Sequence, residues 1–198
     1  ESPLLGRLGE QFAQFEMEAS QIPEDEITSH KSFIQRDLHP LLLRSPFIYR
    51  SFQKPLGYAG DYEMVNMILG EPRQGTSTYS KIINKLFLEG GPPKAHRNRI
   101  DELVKALTKA VEQADREGRQ LRVLNVGCGP AVEIQRFIRT HPLADRCEFR
   151  LVDFNEETLN YTKSKIDEAI KDSGRKPKVE FVHQSVNSLL KQAAQRKG

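Results

Sequence analysis

The sequence predicts an α/β fold in which a helical N-terminal region precedes a doubly wound parallel sheet. Two observations support this prediction. Apolar residues recur at helical spacing before Gly118, and from Leu121 onward three short apolar runs alternate with three amphipathic segments. Such an alternation is typical of a parallel sheet whose strands are joined by helical crossovers. We therefore place a helical cap region at residues 1–92 and the sheet-forming domain at residues 93–198.

Five amphipathic helices are expected before the first strand. Each is indicated by an apolar stripe, and the stripes cover Leu5–Phe15, Ile27–Leu41, Met64–Leu69, Tyr79–Phe87 and Ile100–Ala114. Pro40 is expected to disturb the second helix because its ring blocks a helical hydrogen bond. Asp61 is expected to cap the third helix, and Gly118 to end the fifth.

The predicted sheet has three strands, separated by helices with recognisable ends. The strands are the runs LRVLNV at 121–126, CEFRLVDF at 147–154 and KVEFVH at 178–183. Pro130 is expected at the first position of the helix after the first strand. Asn155 and Ser185 are expected to cap the two later helices, and Gly174 to end the first of these two.

The composition argues against several classes of function. The chain has 30 basic and 27 acidic residues, and this balance does not predict nucleic-acid binding. Cys128 and Cys147 lack the spacing of a disulfide scaffold, so a reducing, cytoplasmic setting is expected. The histidines show no ligand spacing and no paired carboxylates indicate a metal, so no metal is expected. No apolar run has the length of a membrane span.

The run VGCGPA follows the first predicted strand and is the most informative segment. Gly127 permits a tight turn, and Gly129 lets a ligand lie against bare main chain. The next helix directs its free N–H groups to the same place. A dinucleotide-binding loop would have its third glycine at Val132, whereas the small residue here is Ala131. The spacing therefore disfavours a nucleotide-dependent oxidoreductase and favours a ligand without a pyrophosphate.

Polar and aromatic residues follow the next two strands at the same edge of the sheet. Asp153 is placed to accept hydrogen bonds from both hydroxyl groups of a ribose, and Phe154 to pack against an adenine. Gln184, Ser185 and Val186 are candidates for reading the adenine edge. Two structural alternatives stay open, because Asp153 also suits a turn or cap and Ser185 also suits a helix N-cap.

These motifs resemble those of class I S-adenosylmethionine-dependent methyltransferases. The segments VLNVGCGPA, LVDFN and VEFVHQSV correspond, in order, to the first three motifs of that family. The resemblance implies a Rossmann-like fold and S-adenosylmethionine as cofactor. The residues it implies for cofactor binding are Gly127, Cys128, Gly129, Ala131, Asp153, Phe154, Gln184, Ser185 and Val186. The chain departs from the family at Asn125, where an acidic residue is usual, and at Ala131, where glycine is usual.

The run KPLGYAGDYEMVNMI resembles a segment of bacterial extracellular-factor methyltransferases of 3-hydroxypalmitic acid methyl ester biosynthesis. This resemblance implies a small, lipid-like acceptor such as the carboxylate of a hydroxy-fatty acid. Tyr58, Asp61 and Tyr62 would then form a lid over the cofactor, although an ordinary turn and a capped helix explain them equally well. Tyr58 and Asp61 are the candidates for proton handling if the acceptor is a hydroxyl or an amine.

Arg97 and Arg99 are candidates for holding a carboxylate of the cofactor or of the acceptor. The structural alternative is that both arginines are solvated residues on a helix surface. The family's sheet has more strands than the three found here, so we expect a fragment in which the first strand exposes an apolar edge. A non-catalytic module that binds S-adenosylmethionine or S-adenosylhomocysteine is the alternative function.

Overall fold

The computed structural model describes residues 3–58 and 60–195 and divides the chain into two compact units. The first comprises Glu1–Gly60 and Met67–Lys94, and the second comprises Asp61–Asn66 and Ala95–Gly198. Ala59 and the side chain of Leu5, both part of predicted features, lie outside the described residues. No helix in the described ranges is long and apolar enough to cross a bilayer.

The helices before the sheet follow the predicted stripes, with one addition. They are α1 (Pro3–Ala19), α2 (Ile27–Leu42), α3 (Pro46–Gln53), α4 (Tyr62–Leu69), α5 (Thr78–Leu88) and α6 (Gly91–Arg116). Pro40 lies in the last turn of α2, which continues to Leu42, so the expected disturbance is not a break. Helix α3 is absent from the sequence prediction, although Ser45 caps it and Pro46 occupies a first-turn position.

A buried polar side chain joins several segments of the first unit. Asn84, only 2% exposed, accepts hydrogen bonds from the Ser45 hydroxyl at 2.8 Å and from the Phe47 main-chain N–H at 3.0 Å. Its amide nitrogen donates to the carbonyl oxygen of Pro72 at 2.8 Å. Asn84 therefore ties helix α5 to the start of α3 and to the loop that follows α4.

Replacing Asn84 should destabilise the first unit more than replacing an exposed amide. In Asn84→Ala the three partner groups lose their hydrogen bonds in a buried site, and we expect a loss of about 2–4 kcal/mol in the free energy of unfolding. Gln74→Ala, at an exposed loop position of the same unit, should change it by less than about 0.5 kcal/mol. Urea unfolding of both variants measures the difference, and equal midpoints would contradict the assignment.

The second unit contains a three-stranded, all-parallel sheet in the order β1-β2-β3. Its elements after α6 are β1 (Leu121–Val126), α7 (Val132–Thr140), a short 3-10 helix (Pro142–Arg146), β2 (Cys147–Asp153), α8 (Glu156–Ser173), β3 (Lys178–His183) and α9 (Val186–Gln195). The predicted α/β class and parallel strands are therefore confirmed. The predicted second strand was one residue too long, because β2 ends at Asp153.

One face of this sheet forms the core of the unit. Phe149 and Leu151 of β2 are fully buried in a cluster that includes Ile134 of α7, Ile166 of α8 and Val111 of α6. Helices α7 and α8 contact each other. This arrangement follows from the strand order, since right-handed crossovers that advance in one direction place successive helices on the same face.

The opposite face is open over two rows of paired residues. In these rows Arg122 pairs with Glu148, and Leu124 pairs with Arg150. Leu124 is 63% exposed, and Arg122 and Arg150 are also exposed. The predicted doubly wound arrangement, which has helices on both faces of the sheet, is therefore shown only in part. Among the described residues no strand pairs with the outer edge of β1, where Val126 is 43% exposed, as the sequence predicts.

The predicted helix ends are mostly confirmed. Asp61 accepts a hydrogen bond from the main-chain N–H of Met64 at 3.0 Å, and Asn155 accepts one from Thr158 at 2.8 Å. Gly174 ends α8 in the left-handed conformation. The prediction for Pro130 was wrong, because α7 begins at Val132. The left-handed conformation of Ala131 separates the proline from the helix.

Candidate functional site

The segment between β1 and α7, residues 127–131, is called the glycine loop. Gly127 and Gly129 adopt φ angles of +65° and +50°, a conformation that side chains disfavour. A Cβ atom added to either residue would meet no other atom within 4 Å. The two glycines are therefore required by the backbone conformation, and the space in front of them is open to a ligand.

Hydrogen bonds from neighbouring elements hold the glycine loop in place. The N–H of Cys128 donates to the carbonyl of Val152 in β2 at 3.0 Å. The Thr162 hydroxyl of α8 donates to the carbonyl of Gly129 at 2.6 Å, and the Gln135 amide donates to the carbonyl of Pro130 at 2.6 Å. The loop is thus positioned by β2, α7 and α8.

Ala131 completes the loop under strain. It has a φ angle of +47° and is 1% exposed. The left-handed conformation costs an alanine about 1 kcal/mol relative to glycine. The methyl group is part of the buried cluster beneath the loop, and this packing offsets some of that cost.

Asp153, at the end of β2, is directly connected to the glycine loop. Its Oδ2 accepts a hydrogen bond from the N–H of Gly129 at 3.1 Å, and its Oδ1 accepts one from the N–H of Asn155 at 3.0 Å. The side chain is 4% exposed. Asp153 therefore also has the turn-stabilising role that was the alternative interpretation, because its bond to the Asn155 N–H stabilises the turn after β2. An ionised carboxylate has about four acceptor positions, so both oxygens retain capacity for a ligand hydroxyl.

The candidate adenine-binding residues lie where β2 and β3 end. The N–H of Gln184 donates to the carbonyl of Asp153 at 2.9 Å, so the two strand ends remain adjacent. Phe154 and Val186 are each 53% exposed and offer apolar surface. Ser185 accepts a hydrogen bond from the N–H of Ser188 at 3.2 Å, which shows the capping role.

The lid candidates divide between the two units. Asp61 and Tyr62 belong to the unit with the glycine loop, whereas Tyr58 belongs to the other unit. The Tyr62 ring stacks on Tyr161 of α8 with 4.5 Å between centroids, and its hydroxyl donates to Glu157 at 2.9 Å. Asp61 is 1% exposed and caps α4, as one of the two interpretations predicted.

The candidate arginines lie near the start of α6, in the part that belongs to the second unit. Arg99 is exposed, and its guanidinium Nη2 lies 2.9 Å from Nδ1 of His96. Burial, and secondarily the Arg99 charge, lowers the pKa of His96. Arg97 is partly buried. Carboxylate binding by either arginine stays a prediction.

The thiol of Cys128 is buried, and its environment disfavours the reactive thiolate form. Burial raises its pKa to about 12, and the charges of Asp153 and Glu133 add to the rise. It is therefore protonated at neutral pH, and a protonated thiol is a poor nucleophile. Cys128 contributes to the glycine loop through its main chain. Among the described residues no group of three potential ligands is placed to hold a metal ion.

Glu133, the second residue of α7, lies close to the glycine loop and was not among the predicted site residues. Its Oε1 accepts a hydrogen bond from the amide of Asn125 at 2.8 Å, and the side chain is half-buried. Burial raises the pKa of Glu133, while the Asn125 bond and the Arg99 charge oppose the rise. An acidic residue in a first helical turn usually indicates only a favourable interaction with the helix dipole, so no sequence signal marks this position.

In comparisons with known proteins, no protein-family model, no curated protein and no solved structure matches the chain. The candidate site is therefore defined by its own residues. It consists of a ligand-accessible glycine loop, a carboxylate bonded to it and two exposed apolar side chains.

The raised pKa of Glu133 predicts a pH-dependent effect on stability. Because the folded state disfavours the ionised form, Glu133 weakens the fold above its folded pKa and ceases to do so below its unfolded pKa. Glu133→Gln should therefore be at least as stable as the unmodified chain at pH 7. The advantage should vanish as the pH falls below the ordinary range of a glutamate. Urea unfolding at several pH values tests this, and a variant that is less stable at pH 7 would contradict it.

Proposed function

We propose that the second unit binds S-adenosylmethionine and that the protein is a methyltransferase acting on a small molecule. The observation that supports this proposal is the pair of left-handed glycines, Gly127 and Gly129, which face open space at the end of β1. Asp153 of the neighbouring strand is bonded to the same loop. This combination suits a nucleoside ligand whose remaining part lies against bare main chain.

The residues present fit the parts of this cofactor. The open space beside Gly127 and Gly129 would accommodate a ligand that lies against the main chain. Asp153 has acceptor capacity for the ribose hydroxyls, and Phe154 and Val186 offer apolar surface for the adenine. The main-chain groups near Gln184 lie at the adjoining strand end. Together these contacts would select the nucleoside portion.

When bound, the cofactor supplies an electrophilic methyl group on a sulfonium centre. The work of the protein is then to orient the acceptor and to exclude water. A carboxylate acceptor, such as that of a hydroxy-fatty acid, is ionised at neutral pH and needs no general base. Arg97 and Arg99 would hold a carboxylate. Asp61, which belongs to the same unit as the glycine loop, would act on a proton only if the acceptor were a hydroxyl or an amine.

Two glycine substitutions separate ligand binding from backbone strain. Gly129→Ala and Gly118→Ala both place an alanine in a left-handed conformation without a clash. Each should therefore cost about 1–2 kcal/mol of unfolding free energy. Only Gly129→Ala places a methyl group in the space proposed for the cofactor. We expect calorimetry to show tight S-adenosylhomocysteine binding to Gly118→Ala and a loss of at least about tenfold for Gly129→Ala. Equal affinities would contradict the proposed site.

A transfer assay distinguishes the enzyme from its alternatives. Methyl-labelled S-adenosylmethionine is incubated with the protein and a lipid extract, and labelled methyl ester is the expected product. Cofactor binding without transfer to any fraction would indicate the non-catalytic module. Binding of NAD with no binding of S-adenosylhomocysteine would overturn the proposal in favour of an oxidoreductase.

A further inference from the structure

We propose that Glu133, oriented by Asn125, binds the primary ammonium group at the amino-acid end of the cofactor. This inference rests on the proposed function and assigns a residue that the sequence motifs do not mark. It makes the amino-acid end, as well as the nucleoside, a determinant of which ligand the site accepts.

The position of Glu133 follows from the two elements that flank the glycine loop. Asn125 is the penultimate residue of β1, and Glu133 is the second residue of α7. The glycine loop connects these two elements. The 2.8 Å bond from the Asn125 amide to Glu133 Oε1 therefore holds the carboxylate between the two ends of the loop.

The carboxylate has unused capacity for a cation. Among the described residues no lysine, arginine or histidine lies within ion-pair distance of Glu133, and its side-chain partner is the neutral amide of Asn125. A carboxylate has about four acceptor positions, so most of them remain for another donor. Half-burial of a carboxylate without an ion pair is unfavourable, and a cationic ligand would relieve that cost.

The surroundings of Glu133 suit a short aliphatic chain that ends in a charged group. A cavity of about 170 Å³ adjoins the carboxylate. Its lining comprises Leu103, Leu107, Val123, Leu124, Asn125, Glu133 and Ile134. Glu133 is the one charged group in this lining, and the others are apolar except for Asn125. The amino-acid end of the cofactor has this composition, with methylene groups that lead to an ammonium and a carboxylate.

Arg99, a cationic side chain near Glu133, would complement the carboxylate of the ligand. The charge of Arg99 on α6 acts on Glu133 and is exposed rather than buried. The second unit thus presents an anion and a cation to the same region. An amino acid zwitterion matches this pair, whereas a nucleoside without the amino-acid end does not.

Two ligands and one substitution test the assignment. S-Adenosylhomocysteine carries the ammonium, and 5′-methylthioadenosine keeps the nucleoside and the thioether but lacks the amino-acid end. For Glu133→Gln in the 198-residue chain, we expect the dissociation constant for S-adenosylhomocysteine to rise about tenfold or more. That for 5′-methylthioadenosine should change less than about twofold. Glu156→Gln, at an exposed first-turn position of α8, is the matched control and should change neither constant.

The remaining outcomes of these binding measurements distinguish the inference about Glu133 from the proposed function. Unchanged S-adenosylhomocysteine affinity in Glu133→Gln, or equal losses for both ligands, overturns the inference and leaves the proposed function intact. Failure of the unmodified chain to bind either ligand overturns both. A ligand-side measurement avoids dependence on the folding of the variant. The analogue of S-adenosylhomocysteine that has hydrogen in place of the ammonium should bind the unmodified chain about tenfold more weakly, and equal binding would overturn the inference.

Discussion

The hydrogen bond from the Gly129 N–H to Asp153 is the constraint on which the candidate site depends. It fixes the glycine loop that follows β1 to the carboxylate that ends β2. The loop can donate this bond because Gly127 and Gly129 adopt left-handed conformations that turn the main chain sharply after the strand. Without that turn, main-chain groups and the Asp153 carboxylate would not meet at one edge of the sheet.

The fold brings the remaining residues to this edge by topology alone. All three strands run in the same direction, so Val126, Asp153 and His183 end at the same side. The bond from Thr162 to Gly129 and the stacking of Tyr62 on Tyr161 then make α8 a shared support. One face of this helix holds the glycine loop, and another holds the segment that begins at Asp61. Movement of α8 would therefore disturb both.

Much of the second unit is predictable because its signals are local. The bounds of β1 and β3 match the runs LRVLNV and KVEFVH, and Asn155 caps α8 as expected. The prediction for Pro130 failed because Ala131 adopts an unusual left-handed conformation that composition does not reveal. Helix α3 was overlooked although Ser45 and Pro46 are an ordinary start signal. The surroundings of Glu133 could not be predicted, since its half-burial and its bond to Asn125 in another element are tertiary features.

A crystal structure of the chain with S-adenosylhomocysteine would show whether the ligand lies against the glycine loop and Asp153. We expect ligand density against the main chain of Gly127 and Gly129, with ribose oxygens about 3 Å from the carboxylate of Asp153. The contrary result would be a ligand bound elsewhere, while protein side chains cover the two glycines and Asp153 contacts no ligand atom.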